Sequence, residues 1–283
     1  DQRGAVTVTT FNDAVLDIEA GDTSDHKYGM AFDIGTTSIV GTLIDLDSGE
    51  QLAAVGDVNP QAVYGGDLMS RLAYAQFDLA ALRKLRARAV QAINSHIKEA
   101  CEKADISPDH IYKLVVVGNT AMHHIFLGID PTYLGLAPYS PTVRSAIEMP
   151  ARELMLKAVP NAVVCLLPIV AGFVGADAVG AVLATRIFES KDVRIMVDIG
   201  TNGEVIMGHK GKLMACSAPA GPALEGAQIK HGMRGAIGAI EKVRWEKEIV
   251  CETIGNAPPT GICGSGLVDA AASLLKAGVL LPS

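Results

Sequence analysis

The sequence predicts an α/β fold in which one strand-rich unit is used twice. Two short strings carry that prediction. Asp33-Ile34-Gly35-Thr36-Thr37-Ser38 follows the apolar run Tyr28–Phe32, and Asp198-Ile199-Gly200-Thr201-Asn202-Gly203-Glu204 follows Val193–Val197. Each leads into a second apolar run closed by a tight turn: Ile39–Leu46 with Asp47-Ser48-Gly49, then Val205–Gly208 with His209–Lys212. A third strand follows in both places. A strand–Asp-x-Gly-Thr–strand–turn–strand unit that recurs marks a duplication, with the two copies expected to face each other.

The elements follow in order. Residues 1–27 read as the tail of a preceding domain and a linker. Ala5–Phe11 alternates and is rich in Val and Thr, Val15–Glu19 is a second short strand, and Gly21–Asp25 is polar. Tyr28–Ile34, Ser38–Asp45 and Leu52–Asn59 form a meander. Asn59-Pro60-Gln61 and Tyr64-Gly65-Gly66-Asp67 make a loop. One long helix is expected from Leu68 to about Ala104, with Leu82, Leu85, Ala89, Ile93 and Ile97 on one face. Leu114–Val117 is apolar and mostly β-branched, as in a strand buried on both faces. A helix over about 121–127 follows, ended by Gly128-Ile129-Asp130-Pro131. Residues 131–160 hold prolines, turns and one short helix. Val163–Leu167 is a strand and Gly172–Arg186 a helix of small residues.

The first half therefore reads βββ-α-β-α-β-α, over 28–190. The second, 191–283, restarts with three strands from Arg194 and passes through a Gly/Pro-rich loop, Ser217–Gly235. Strands near Ala236–Trp245 and Glu248–Ile254 follow, then a helix Leu267–Ala277 behind Gly261–Gly266. Set against the first half, the second lacks a further strand–helix unit. The chain opens on Asp1, so a fragment of a longer protein is expected, with an incomplete second lobe.

Composition narrows the class. The 283 residues are 49% hydrophobic, ample for a large core, and the net charge is −7. The charge and the lack of a basic stripe argue against nucleic acid as a partner. The longest apolar run, Ala162–Ala176, contains Pro168 and falls short of the roughly 20 residues that span a bilayer, so no membrane segment is expected. Cys101, Cys165, Cys216, Cys251 and Cys263 are scattered with no C-x-x-C, which fits a reduced cytoplasmic protein.

The chemistry of the two strings is readable. Gly35 and Gly200 let the backbone turn sharply beside a ligand. Consecutive turn amides form an anion-binding concavity. Thr36, Thr37, Ser38, Thr201 and Asn202 add short donors, and Gly203 is counted with them among the phosphate-binding residues. A strand-end carboxylate repels phosphate but suits hydrated Mg²⁺, which touches protein through one or two carboxylates. Asp33 and Asp198 are the candidates, and two such turns would grip a nucleotide triphosphate from both sides.

At these residues the chain resembles the actin-like (ribonuclease H-like) ATPase superfamily of sugar kinases, heat-shock chaperones and actin. Asp33–Ser38 is similar to its first phosphate loop and Asp198–Glu204 to its second. Leu167–Gly172 and the Ala-rich stretch after it look like the helix connecting the lobes. Further strings narrow the match: Asn59-Pro60-Gln61, Tyr64–Asp67 with Ser70-Arg71, Gly118–His124, Ala220–Gly226 and Gly261–Gly266. Together they resemble the ATP-dependent reductive activators of corrinoid proteins, from about Tyr28 onward. The resemblance implies ATP-driven reduction of a Co(II) corrinoid protein to Co(I), which restores a methyltransferase system. It also implies an N-terminal [2Fe-2S] domain as electron donor, and this chain has no cysteine cluster to hold one. The chain alone is thus not expected to transfer electrons.

The resemblance also suggests roles. Asp33, Asp198 and Glu204 would be catalytic, with Glu204 near the metal or the attacking water; a solvent-facing strand residue is the plainer reading. The superfamily's Gln or Glu on the connecting helix falls at Leu167, which implies slow hydrolysis without the partner. Gly264, Ser265 and Gly266, read as lying before a helix, would line ribose or phosphate. Asn119, Thr120 and His123 stand at a strand end and helix start that attract anions or substrate; the alternative is Thr120 as helix cap with the two histidines packed at a lobe surface. Ser217 and Glu225 would face the corrinoid, or merely line the nucleotide loop. Two other functions stay open: a small-molecule kinase, whose base could only be Asp177, and a nucleotide-gated scaffold. Whether the chain forms a homodimer is open as well.

Overall fold

The computed structural model describes residues 4–200, 202–219, 229–233, 235–246 and 248–280. It divides into two compact units, Asp1–Ile187 and Phe188–Ser283.

In the first unit, β1 (Val6–Phe11) and β2 (Ala14–Ala20) form an antiparallel hairpin. A six-stranded sheet follows, in the order β5-β4-β3-β6-β8-β7. Its antiparallel half is β3 (Tyr28–Ile34), β4 (Ser38–Asp45) and β5 (Gln51–Val58). β6 (Ile111–Gly118) runs parallel to β3, and β8 (Val163–Leu166) parallel to β6. β3 buries Met30, Phe32 and Ile34 and turns Asp33 outward, as period-two alternation requires.

The single helix expected after the meander is two: α1 (Leu68–Ala75) and α2 (Leu79–Ala104). Asp78 makes the break. Its carboxylate accepts from the amides of Ala80 and Ala81, and Phe77 before it adopts a left-handed φ of 56°. A short acidic side chain that takes orphan amides starts a helix rather than continuing one. The apolar face of α2 is as expected: Leu85, Ile93 and Ile97 are completely buried and pack toward β4 and β5. Each such burial contributes about 1.5–3 kcal/mol, so tertiary packing rather than local propensity holds α2.

Residues 131–160 differ from the expectation. β7 (Ile147–Pro150) pairs antiparallel to β8 at the sheet edge. The expected short helix is one 3₁₀ turn, Ala151–Leu154. A four-residue strand ending in Pro carries too little alternation to be read, and proline suits such an edge. α3 spans Thr120–Leu127. α4 (Ala176–Thr185) starts four residues later than the helix pattern, because the loop before it is pressed onto other backbone. A Cβ at Gly172 would lie 2.2 Å from the Tyr139 carbonyl, and one at Gly175 would lie 2.5 Å from Asn119 Cα.

The second unit holds β9 (Arg194–Ile199), β10 (Asn202–His209) and β11 (Lys212–Pro219) in the order β11-β10-β9. Its second sheet is β12 (Ala239–Trp245), β13 (Ile249–Thr253) and β14 (Gly261–Ile262), ordered β13-β12-β14. α5 (Gly264–Lys276) packs on β12. β9 repeats the meander of β3 but not its burial: Ile195, Val197 and Ile199 are exposed. The stretch read as a loop from Ser217 begins inside β11; residues 220–228 lie outside the described residues.

Two glycine substitutions should act in opposite directions. Gly175→Ala drives a methyl into the Asn119 and Thr120 backbone and should lower stability by about 1–3 kcal/mol. Gly180→Ala, inside α4, meets Val117 and Leu167 at 3.6 and 3.9 Å, ordinary contact, and should raise stability by roughly 0.5–1 kcal/mol. Urea unfolding midpoints check both.

Candidate functional site

The carboxyl ends of the parallel strands β3, β6 and β8 carry three loops in the first unit. Open α/β sheets bind ligands at such ends. The loop after β3 starts at exposed Asp33 and turns at Gly35, where a Cβ would lie 2.8 Å from the Ser38 carbonyl. Thr36 is buried, Thr37 is half-buried and Ser38 is exposed. The loop after β6 is Gly118-Asn119-Thr120; a Cβ at Gly118 would meet the Ile34 carbonyl at 2.7 Å. The loop after β8 runs from Leu167, which is half-buried, to Gly175.

Side chains tie these loops together. Asn119 Nδ2 donates to Thr36 Oγ1 at 2.9 Å, while its Oδ1 accepts from the Met122 amide at 3.0 Å. Asn119, not Thr120, is therefore the cap of α3. Thr120 instead donates its hydroxyl to the Ala171 carbonyl at 2.6 Å, joining the second loop to the third. Both residues brace the loops to one another. Asp177 lies in the first turn of α4, where its Oδ1 accepts from the Ala178 amide at 2.8 Å.

The paired histidines are not at a surface. His124 is fully buried; its Nδ1 lies 2.8 Å from the Thr120 carbonyl, and its Nε2 accepts from the Thr142 amide at 3.1 Å. That pattern fixes the neutral Nδ1–H tautomer. His123 is 3% exposed, and neither ring nitrogen has a hydrogen-bond partner. Burial, with a smaller contribution from His124, pushes its pKa down to about 4.

In the second unit, Asp198 pairs with Glu204 and Glu204 with Ser217, directly across β9, β10 and β11. Directly opposite residues share a face. Ser217 Oγ donates to Glu204 Oε1 at 3.0 Å, so Ser217 is joined to the acidic pair in one row. Like charges set directly opposite each other are unfavourable in a sheet. The turn is closed by the Gly200 amide donating to the Asn202 carbonyl at 3.1 Å, and Gly203 lies opposite Ile199. Thr201 and Glu225 lie outside the described residues.

Gly264, Ser265 and Gly266 are not before the last helix but form its first turn. Ser265 is exposed there, with its Oγ 3.2 Å from Cys263 Sγ. Gly266 is a packing glycine, since a Cβ would lie 2.1 Å from the Ile240 carbonyl. Among the described residues no three His, Cys, Asp or Glu side chains converge as a metal site. One or two carboxylates holding a hydrated Mg²⁺ still fit the Asp198–Glu204 pair. An iron–sulfur cluster does not fit. All five cysteines are free; burial raises the Cys165 pKa and pushes that of Cys101 up to about 11.

Sequence reasoning gave no role to Asn59, Gln61 and Arg71, which lie buried behind the first loop. Nothing in hydrophobic periodicity marks a polar residue as buried. Their one signal was that the strings holding them, Asn59-Pro60-Gln61 and Ser70-Arg71, belong to the family resemblance.

The chain has relatives among known proteins. The model "RACo middle region" matches residues 28–190, and "C-terminal domain of RACo the ASKHA domain" matches 192–283. A corrinoid activation enzyme, RamQ, of Eubacterium limosum is 42% identical over 254 residues, which is 89% of this chain and 42% of that protein. A [Co(II) methylated amine-specific corrinoid protein] reductase of Methanosarcina barkeri is 27% identical over 89% of this chain and 52% of that protein. A solved reductive activator for corrinoid,iron-sulfur protein superposes with a TM-score of 0.85 at 40% identity, over 97% of this chain and 45% of that one. The chain spans about half the length of the relatives it matches.

The buried histidine makes a pH prediction. His123 titrates near 6.5 when unfolded and near 4 when folded, so between those values the unfolded chain binds more protons and stability falls as pH falls. The full penalty is about 3 kcal/mol. In His123→Asn that part of the slope should vanish, leaving the slopes from other groups whose pKa values are also lowered, His124, Glu19, Glu99 and Glu252 among them. Unfolding free energies of both proteins from pH 7 to 4 check this.

Proposed function

The chain belongs to the RACo family of reductive activators of corrinoid proteins, and from that premise we propose that it is the ATP-binding core of such an activator. In this reading it binds Mg-ATP and couples the nucleotide to reduction of a Co(II) corrinoid protein to Co(I), for a methyltransferase system. The single observation that best supports nucleotide binding is the recurrence of the same loop. Each unit opens an antiparallel meander with a carboxylate near the end of its first strand and a glycine turn beyond it.

Each loop would have its own task. Thr36, Thr37 and Ser38, with the turn at Gly35, would receive phosphate oxygens through N–H and O–H donors. Asp33, at the strand end beside this loop, would orient metal-bound water there. Asp198 and Glu204, directly opposite each other, would hold Mg²⁺ through its waters. Gly200, Thr201, Asn202 and Gly203 would form the second phosphate turn, and Gly264 and Ser265, at the start of α5, would line ribose or phosphate. Magnesium bound there would neutralise charge on the phosphates. Ser217, in the row of Glu204, and Glu225 are the residues we assign to the corrinoid side. Electrons would come from a [2Fe-2S] donor that this chain's cysteines do not provide.

Nucleotide can shift the corrinoid's environment only by as much as its own affinity differs between two protein states. The decisive assay adds this chain, Mg-ATP and a low-potential reductant to a Co(II) corrinoid protein and follows cobalt absorbance. Co(I) should appear faster with ATP than without. No ATP effect, together with phosphate transfer to a sugar or carboxylate, would make the protein a kinase instead. Separately, Asp33→Ala and Asp198→Ala should each weaken Mg-ATP binding by about tenfold or more in calorimetry. Unchanged affinity in either would remove that residue from the site.

A further inference from the structure

Behind the first loop lies an arginine that is 0% exposed. Arg71 stands in the first turn of α1, placed there by a capping box between Asp67 and Ser70. Its Nε donates to the Gly65 carbonyl at 2.9 Å and its Nη1 to Gln61 Oε1 at 3.3 Å. Its Nη2 donates to the carbonyl of Thr36, inside the loop itself. Burying a guanidinium costs several kcal/mol unless its donors are satisfied, and here three acceptors in different segments receive the fork.

The carbonyl before it is held the same way. Asn59 Nδ2 donates to Gly35 O at 2.8 Å and lies 3.3 Å from Gln61 Oε1. Asn59 and Arg71 thus converge on one oxygen, so they approach the loop from the same side. Gln61 is anchored in turn by its Nε2, which donates to the Leu85 carbonyl in α2 at 3.0 Å. In a planar trans peptide, the C=O of one residue and the N–H of the next point opposite ways. Drawing the Gly35 and Thr36 carbonyls inward therefore turns the amides of Thr36 and Thr37 outward, side by side. Two successive amides facing one way make an anion concavity.

We infer that Arg71 is a positioning residue of the phosphate loop: its fork sets the Thr36–Thr37 peptide and with it the direction of the amides that would receive phosphate. The inference rests on the Mg-ATP reading above and deepens it. Lysine keeps the charge but is a single point donor, so it cannot span the Thr36, Gly65 and Gln61 acceptors at once.

The test titrates Mg-ATP into the wild-type chain, Arg71→Lys, Arg71→Met and Asn59→Ser, with thermal melts and ³¹P spectra of the bound nucleotide. Arg71→Lys is expected to weaken Mg-ATP binding by about tenfold, and Arg71→Met by more. The bound phosphate resonances should move in both. Asn59→Ser, which frees the Gly35 carbonyl but leaves the bond from Arg71 to the Thr36 carbonyl in place, should weaken binding less. A folded Arg71→Lys with wild-type affinity and unmoved ³¹P resonances overturns the inference even if its melting point has dropped, because that is the mark of a purely structural role. Should Arg71→Lys fail to fold, a folded Asn59→Ser with wild-type affinity and spectra overturns it. A wild-type chain that binds no Mg-ATP removes the Mg-ATP reading and the inference with it, whereas normal wild-type binding leaves that reading standing whatever the variants do.

Discussion

Backbone-to-backbone contact at the carboxyl ends of β3, β6 and β8 is the constraint on which the first unit's site depends. Gly118 touches the Ile34 carbonyl, and Gly175 touches Asn119 and Thr120. No side chain fits between these segments, so the three loops lie within hydrogen-bond reach of one another. The Asn119–Thr36 and Thr120–Ala171 bonds then fix their relative positions. Packed interiors tolerate little slack, so the loop after β3 is set by its neighbours rather than by its own short sequence.

The two copies of the meander use one pattern in different surroundings. In β3 the apolar alternation is buried beneath α2 and its companions, and the residue that escapes burial is Asp33. In β9 the same alternation leaves Ile195, Val197 and Ile199 exposed. The second copy's acidic residue acquires a cross-strand acidic partner, Glu204, whereas Asp33 lies opposite Val40. A duplicated backbone can thus give two turns with different chemistry, one rich in hydroxyl and amide donors and the other in carboxylates.

The neutral histidine pair shows another cost accepted by the fold. His124 is fully used by the Thr120 carbonyl and the Thr142 amide, and it ties α3 to the segment that follows. His123 beside it has no partner for either nitrogen. An unpaired buried polar group costs about 1–3 kcal/mol, so α3 is held by its other contacts, and the buried Met122, Ile125 and Phe126 supply them.

The amino-acid sequence determined the parts of this protein governed by local rules. Alternation gave the bounds of β3 and β4, the 3.6-residue face gave the buried side of α2, and the Asp-x-Gly strings gave the two turns. The family was legible because several such strings recur together. Tertiary structure alone decided the edge strand β7, the late start of α4 and the roles of Asn119, Thr120 and Arg71. Each depends on a partner far along the chain: Asn119 on Thr36, Thr120 on Ala171, Arg71 on the loop carbonyls. Hydrogen bonds to distant backbone leave no periodic trace, because the pattern of a sequence records which face a residue lies on and not what it meets there.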